Sequence, residues 1–191
     1  LYCEDGLIFS GPILCEPNIY KDSRGYFYES WNKKEFKSIN KKETLFLQDN
    51  ESYSIHGVLR GLHYQINPQP QGKLIKVVHG KIFDVFVDIR SKSKTFKKSF
   101  GIVLSERNKY QLWIPEGFAH GFLTLSEYAV VTYKTTNHWS KELERTILWN
   151  DAELNINWPI NKLNIKKPIL SNKDSSGKEL KYYVRKGEIF K

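Results

Sequence analysis

Between Leu45 and Tyr133 the chain is a succession of short apolar runs, most of them closed by a glycine, a proline or a small polar residue. Val58 to Gln65, Lys73 to His79, Ile82 to Ile89, Phe100 to Leu104, Tyr110 to Ile114 and Tyr128 to Tyr133 are each the length of a strand. Runs of that length, separated by turn signals, predict an all-β sandwich or barrel rather than a helical bundle. Aromatic residues make up 14% of the chain, which suits half-buried pleated surfaces. A chain of 191 residues is long enough to bury a core as one domain, with an N-terminal arm over about residues 1–30 and a C-terminal wrap over about 150–191. Locally, Leu7 to Glu16 reads as a strand, Asp22 to Gly25 as a turn and Trp31 to Ser38 as a short surface helix. Lys73–His79 and Ile82–Ile89, joined by Gly80 and Lys81, read as a hairpin. Trp149 to Glu153 reads as a local turn or helical segment, and Trp158-Pro159 opens an extended, lysine-rich tail that wraps the body.

Thirty Lys and Arg against 21 Asp and Glu leave a formal charge of +9, with the basic residues scattered rather than gathered in one arm. That balance suits an anionic ligand. Without a recognition-helix pattern or a paired-aromatic RNA motif, no nucleic-acid partner is expected. Two cysteines, Cys3 and Cys15, are too few for a disulfide framework. No apolar run approaches the roughly 18 residues of a membrane helix, and no signal peptide is visible. The expectation is a cytoplasmic protein with no membrane partner.

Two stretches carry chemistry. Gly57 to Gln65 holds both Arg60 and His63. Strict alternation sends those two to opposite faces, but Gly61 between them is where a bulge can re-aim a side chain. The stretch reads as one wall of a site with His63 as a proton-transfer base, or as a core histidine beside a surface arginine. In Pro115 to Phe122, proline and glycine set a turn, after which Phe118, His120 and Phe122 share a face. His120 is there either a satisfied core residue or part of a site. Pro115-x-Gly-x-x-His120 resembles the second motif of cupin barrels, and Gly57–His63 sits where the first would be. That first motif supplies His-x-His and a glutamate to a metal, whereas here Gln65 stands at the second position. No metal is therefore expected, and the histidines are read as acid–base or hydrogen-bonding groups.

Gln48-Asp-Asn, Gly57-Val-Leu-Arg-Gly-Leu-His-Tyr-Gln, Gln71-Gly-Lys73, Phe83-Asp-Val, Val87-Asp-Ile-Arg90, Gln111 through Phe122, Tyr133-Lys-Thr-Thr and Ile169 through Asp174 together resemble the dTDP-4-dehydrorhamnose 3,5-epimerase family, in order and with family-like spacing from Gly11 to Gly177. The resemblance implies a cupin-type double-stranded β-helix, a jelly-roll barrel with a few short helices. It implies a dTDP-linked 4-keto-6-deoxy sugar as substrate, no cofactor, and a homodimer sharing N-terminal strands, so that Arg24 to Glu29 serve the partner's site. His63 matches the family's base and Asp174 its carboxylate partner. Tyr133 matches the acid on the opposite face, with Lys134 or Lys73 as cations that could help it. Lys73 matches the cation beside the developing oxyanion, where a fixed charge is worth several kcal/mol. Arg60 and His120 match site-lining donors. Arg24, Glu29, Gln48, Asn50, Glu144 and Lys173 match positions that hold the nucleotide and its diphosphate. Phe27 would pack on base or sugar, and Trp139 would stack on the thymine.

The chain departs from the pattern at His138 and Trp139, where the family commonly has two tyrosines, and at His79, where an arginine is common. Taken alone, each residue is more often structural than functional: Glu29 and Glu144 as solvated charges, Tyr133 as an edge aromatic, Phe27 and Trp139 as core. Epimerisation at C3 and C5 is the leading expectation. C3-only epimerisation, 3,4-ketoisomerisation and non-catalytic sugar-nucleotide binding are the alternatives, with a metal-dependent oxygenase as a further rival.

Overall fold

The structure, a computed structural model, describes residues 1–3 and 5–191. Its first strand, β1 (Ile13–Cys15), is followed by a small hairpin of β2 (Tyr20–Asp22) and β3 (Gly25–Phe27), then helix α1 (Lys33–Asn40). Asn32 caps that helix by accepting from the Lys34 and Glu35 amides, and Lys41 closes it in the left-handed region. The body comprises β4 (Gln48–Ile55), β5 (Leu59–Gln65), β6 (Lys73–His79), β7 (Lys81–Asp88), β8 (Ser99–Ser105), β9 (Gln111–Ile114), β10 (Phe118–Thr124), β11 (Tyr128–Thr135) and β12 (Glu144–Thr146). These form two antiparallel five-stranded sheets, ordered β1-β9-β6-β11-β4 and β12-β5-β10-β7-β8.

The inner faces of the two sheets meet around Ile75, Val77, Ile82, Phe86, Leu104, Leu112, Ile114, Phe118, Phe122 and Val131. Alternation then sends the next residues outward, where each sheet finds a second layer. Leu74 and Trp113 pack against Phe36 of α1. Leu62, Val85, Val87, Ala119 and Leu123 pack against Leu154, Trp158, Leu180 and Tyr183 of the C-terminal wrap. This second layer explains why β10 is buried along its whole length.

Three local expectations are corrected. Residues 73–79 and 81–88 are not a hairpin: β6 pairs with β9 and β11, and β7 with β8 and β10. Gly80 alone separates them, too few residues for the two-residue loop of a tight hairpin, and it carries the chain from one sheet to the other. Of Leu7 to Glu16 only Ile13–Cys15 is strand. The tail packs on the second sheet through Leu154, Trp158, Leu180 and Tyr183, and it is not extended throughout. It contains a 3₁₀ turn (Pro159–Leu163), α2 (Asn172–Ser175) and α3 (Leu180–Lys186). Among the described residues no helix is long and apolar enough to cross a membrane.

Candidate active site

Opposite β5, the register of β10 shifts between His120 and Phe122: His120 faces His63, and Phe122 faces Arg60. Gly61 and Leu62 therefore lie opposite Gly121 alone, which is a bulge. Gly61 has φ +118°, and a Cβ there would stand 2.5 Å from the Gly121 Cα, so the bulge needs glycine. The inserted residue cancels the odd spacing of Arg60 and His63 and delivers both to one cavity of about 380 Å³. From the opposite sheet the cavity receives Gln48, Asn50, Lys73 and Tyr133. His120 and Glu144 join from the sheet that carries His63, and Trp139 and Lys173 from loop and wrap.

His63 Nε2 lies 2.6 Å from Asp174 Oδ1. Asp174 comes from α2, whose cap Ser171 donates its hydroxyl to Asp174 Oδ2 at 2.7 Å, while the Gly61 amide donates to Oδ1 at 3.2 Å. Burial raises the Asp174 pKa, but the imidazole, the Ser171 hydroxyl and the Gly61 amide together outweigh it and hold the carboxyl below its ordinary range. For His63 burial dominates and lowers the pKa, against the pull of Asp174, with Lys173 and Lys73 adding to the fall. The pair is a neutral imidazole beside an ionised carboxylate. Donation from Nε2 to Asp174 leaves the lone pair on Nδ1.

A second pair stands beside the first. His120 Nε2 is 3.0 and 2.9 Å from the two oxygens of Asp84, whose side chain is fully buried. Burial pushes the Asp84 pKa up, opposed by His120 and Lys73. Lys73 donates from Nζ to the His63 carbonyl at 3.3 Å. Its burial lowers the ammonium pKa to about 8, against the support of Glu144 and Asp84, so it remains largely cationic at neutral pH. The Tyr133 phenol is pushed up by burial, with Arg60 opposing and Glu144 assisting. It therefore keeps its proton at neutral pH. Arg60, rather than Lys134 or Lys73, is the principal cation acting on it, because Lys134 is drawn to Asp49 at 3.0 Å. At the mouth, Lys173 bridges both oxygens of Glu144 at 2.9 and 3.0 Å. The Trp139 amide donates to Gln48 Oε1 at 3.0 Å, and Gln48 Nε2 donates to Asn50 Oδ1 at 2.7 Å.

The sequence signature of dTDP-4-dehydrorhamnose 3,5-epimerases matches residues 7–182. The chain belongs to that family. The epimerase of this name from Shigella flexneri is 52% identical over 167 residues, covering 87% of this chain and 90% of that protein. A Legionella pneumophila dTDP-6-deoxy-D-glucose-3,5-epimerase, crystallised with dTDP-4-keto-L-rhamnose, superposes with a TM-score of 0.89 at 44% identity, covering 96% of this chain and 94% of that one. A 3'-monoepimerase from Streptomyces bikiniensis, crystallised with dTDP-quinovose, gives 0.88 at 28% identity over 96% of this chain and 90% of that one. The fold is thus the jelly-roll barrel of these epimerases, and the family's chemistry is that of an isomerase.

Within this epimerase the cavity gathers His63, Lys73, Tyr133, Gln48, Asn50, Arg60, His120, Trp139, Glu144 and Lys173, with Asp174 bonded behind His63. It does not gather Arg24, Phe27 and Glu29. Arg24 is exposed and paired with Asp22, Phe27 is 68% exposed, and Glu29 accepts from Asn32. All three lie on or beside the β2-β3 hairpin, which is exposed along both strands. Sequence reading missed Ser52, Gln71, Phe122 and Val131 as lining residues, and Asp84 and Ser171 as carboxylate and cap behind the histidines. Asp84 had left a signal, since alternation in β7 places it on the inward face with Ile82 and Phe86. His79, left without a role, pairs with Glu106 at 2.9 Å and stacks on Tyr128 with centroids 4.4 Å apart, outside the cavity.

Proposed function

We propose that this chain inverts C3 and C5 of dTDP-4-dehydro-6-deoxy-D-glucose, giving dTDP-4-dehydro-L-rhamnose. The observation that carries the proposal is the placement of a neutral, carboxylate-backed imidazole and a protonated phenol on opposite sheets, lining one cavity. A 4-keto group acidifies the C–H bonds at C3 and C5. His63 removes the proton from one face, and the electron pair moves into an enolate whose oxygen meets the Lys73 ammonium. Tyr133 returns a proton from the other face, and the configuration inverts. Proton transfer leaves the oxidation state unchanged, so the reaction asks for no redox cofactor.

Gln48, Asn50, Glu144 and Lys173 at the mouth are assigned to the nucleotide and its diphosphate, and Trp139 to stacking on the base. The exposed β2-β3 hairpin, carrying Arg24 and Phe27 with Glu29 just beyond it, is assigned to the cavity of a second copy in a homodimer. C3-only epimerisation is the second reading, favoured by the close superposition of the Streptomyces 3'-monoepimerase. Incubation with dTDP-4-keto-6-deoxyglucose in deuterated water, followed by NMR at both carbons, separates the readings. Deuterium at C3 and C5 is the expected result. Label at C3 alone establishes the monoepimerase, and none at either carbon overturns the proposal.

A further inference from the structure

Gln65 occupies the position where a metal-binding cupin would carry its second histidine, and it is 2% exposed. Its side chain is committed to two loops at the barrel mouth. Nε2 donates to the Gln69 carbonyl at 2.7 Å and to the His138 carbonyl at 3.2 Å, and Oε1 accepts from the Ser140 amide at 2.7 Å. Gln48 accepts from the Trp139 amide between them. Backbone groups of three successive residues, His138, Trp139 and Ser140, are thus held by two glutamine side chains, one from each sheet. The neighbouring loop is laced in as well: Asn137 Nδ2 donates to the Pro70 carbonyl at 2.7 Å, and Gln71 Nε2 donates to the Asn137 carbonyl at 2.8 Å.

Trp139 itself is 53% exposed. Among the described residues its indole stacks on no other ring, and its backbone is held by hydrogen bonds to Gln48 and, through its two neighbours, to Gln65. We infer that Gln65 is a positioning residue: acting with Gln48, it clamps the Trp139 loop across the mouth and so sets how firmly the nucleotide base is held. The inference rests on the assignment of Trp139 to base stacking. A glutamine is suited to this clamp because its amide donates and accepts at once, and both are needed to bridge a carbonyl and an amide two residues apart. Gln65 donates twice and accepts once; a neutral histidine has a single donor and an ionised carboxylate has none.

The test compares Gln65→Leu with Trp139→Ala and the unaltered full chain. Calorimetric titration with dTDP reads the base site, coupled turnover with the nucleotide sugar separates KM from kcat, and ligand-free hydrogen exchange reads residues 136–141. Loss of the clamp's hydrogen bonds predicts about tenfold weaker dTDP binding and about tenfold higher KM, with kcat within about threefold. Amide exchange in 136–141 should accelerate without ligand, while the core strands stay protected. Should Gln65→Leu not fold, Gln65→Glu carries the test: it keeps the acceptor for Ser140, loses both donors, and should accelerate exchange in the same segment. A folded variant with unaltered loop exchange and unaltered dTDP affinity overturns the inference. If Trp139→Ala leaves dTDP binding intact while Gln65→Leu still frees the loop, the clamp stands and the assignment of Trp139 falls. If Trp139→Ala weakens binding and Gln65→Leu changes neither readout, the clamp falls alone.

Discussion

His63 and His120 lie opposite one another on β5 and β10, and each Nε2 meets an aspartate. The two aspartates differ in origin and surroundings. Asp174 arrives from the C-terminal wrap and accepts from His63, Ser171 and the Gly61 amide. Asp84 belongs to β7 beside His120, is wholly enclosed by the barrel, and accepts from His120. The consequence is opposite in sign: the Asp174 carboxyl is held below its usual range, whereas burial drives that of Asp84 above it. A histidine–aspartate contact is therefore not one device. Donors supplied to the carboxylate decide whether it stays ionised as a partner for a base, or becomes a costly charge that chiefly fixes the orientation of a ring.

The largest effect should separate the two histidines. His63→Ala should lower kcat by about 10³-fold or more and abolish deuterium exchange at both sugar carbons, as expected when a general base is removed. His120→Gln, whose amide can still donate to Asp84, should lose about tenfold to a hundredfold. Equal losses in the same NMR assay would break the distinction. Tyr133→Phe comes next. Deprotonation by His63 survives, so deuterium still washes into the substrate, but inversion should fall about a hundredfold because the opposite face lacks its acid.

Asp174→Asn sharpens the contrast further. Kinetic loss should be about a hundredfold, and calorimetry should show a melting temperature lower by about 4–8 °C at pH 7. That corresponds to about 2 kcal/mol for charge-assisted hydrogen bonds in a chain of this size. The pH profile adds a sign. In the native enzyme kcat/KM should rise with pH as His63 sheds its proton, at a pH below the ordinary 6.5 of histidine. It should then fall near pH 8, where Lys73 loses its charge. Asp174 raises the His63 pKa, so in Asp174→Asn the acid limb should move to still lower pH while the alkaline limb stays.

The extent to which this was readable from residues alone follows the range of the interactions. Strand-length runs and turn residues are local, so the all-β class and most strand bounds were legible. Which strands pair is not local: β6 and β7 look like a hairpin because alternation says nothing of partners, and only the single residue between them argues otherwise. The bulge at Gly61 was anticipated because a glycine between two functional side chains is itself a local mark. Asp174, more than a hundred residues from His63 in sequence, was reached only through likeness to a family. Asp84 was passed over because an acidic residue in a strand resembles a solvated face until its neighbours' burial is known. Arg24, Phe27 and Glu29 were grouped with the partner's site by family pattern; in a single chain they lie exposed on or just beyond the β2-β3 hairpin.

The smallest expected effect is the most discriminating. Asp84→Asn keeps an oxygen that accepts from His120 Nε2 and removes a charge that burial disfavours. Because the folded pKa of Asp84 lies above its unfolded value, the charge weakens the fold increasingly as pH rises through the unfolded value toward the folded one. The variant should therefore melt within about 2 °C of the native enzyme or above it at pH 7, with any gain vanishing in acid where the native carboxyl is protonated in both states. Asp174→Asn has the reverse dependence. The Asp174 folded pKa is depressed, so its stabilisation is present above the unfolded value and fades as pH falls through the folded one, and the deficit of that variant should shrink in acid. Melting both variants across the acid range tests the two signs at once. Were Asp84→Asn to lose as much as Asp174→Asn at pH 7, Asp84 would be a second stabilising carboxylate, and the contrast between the two pairs would reduce to where each stands in the cavity.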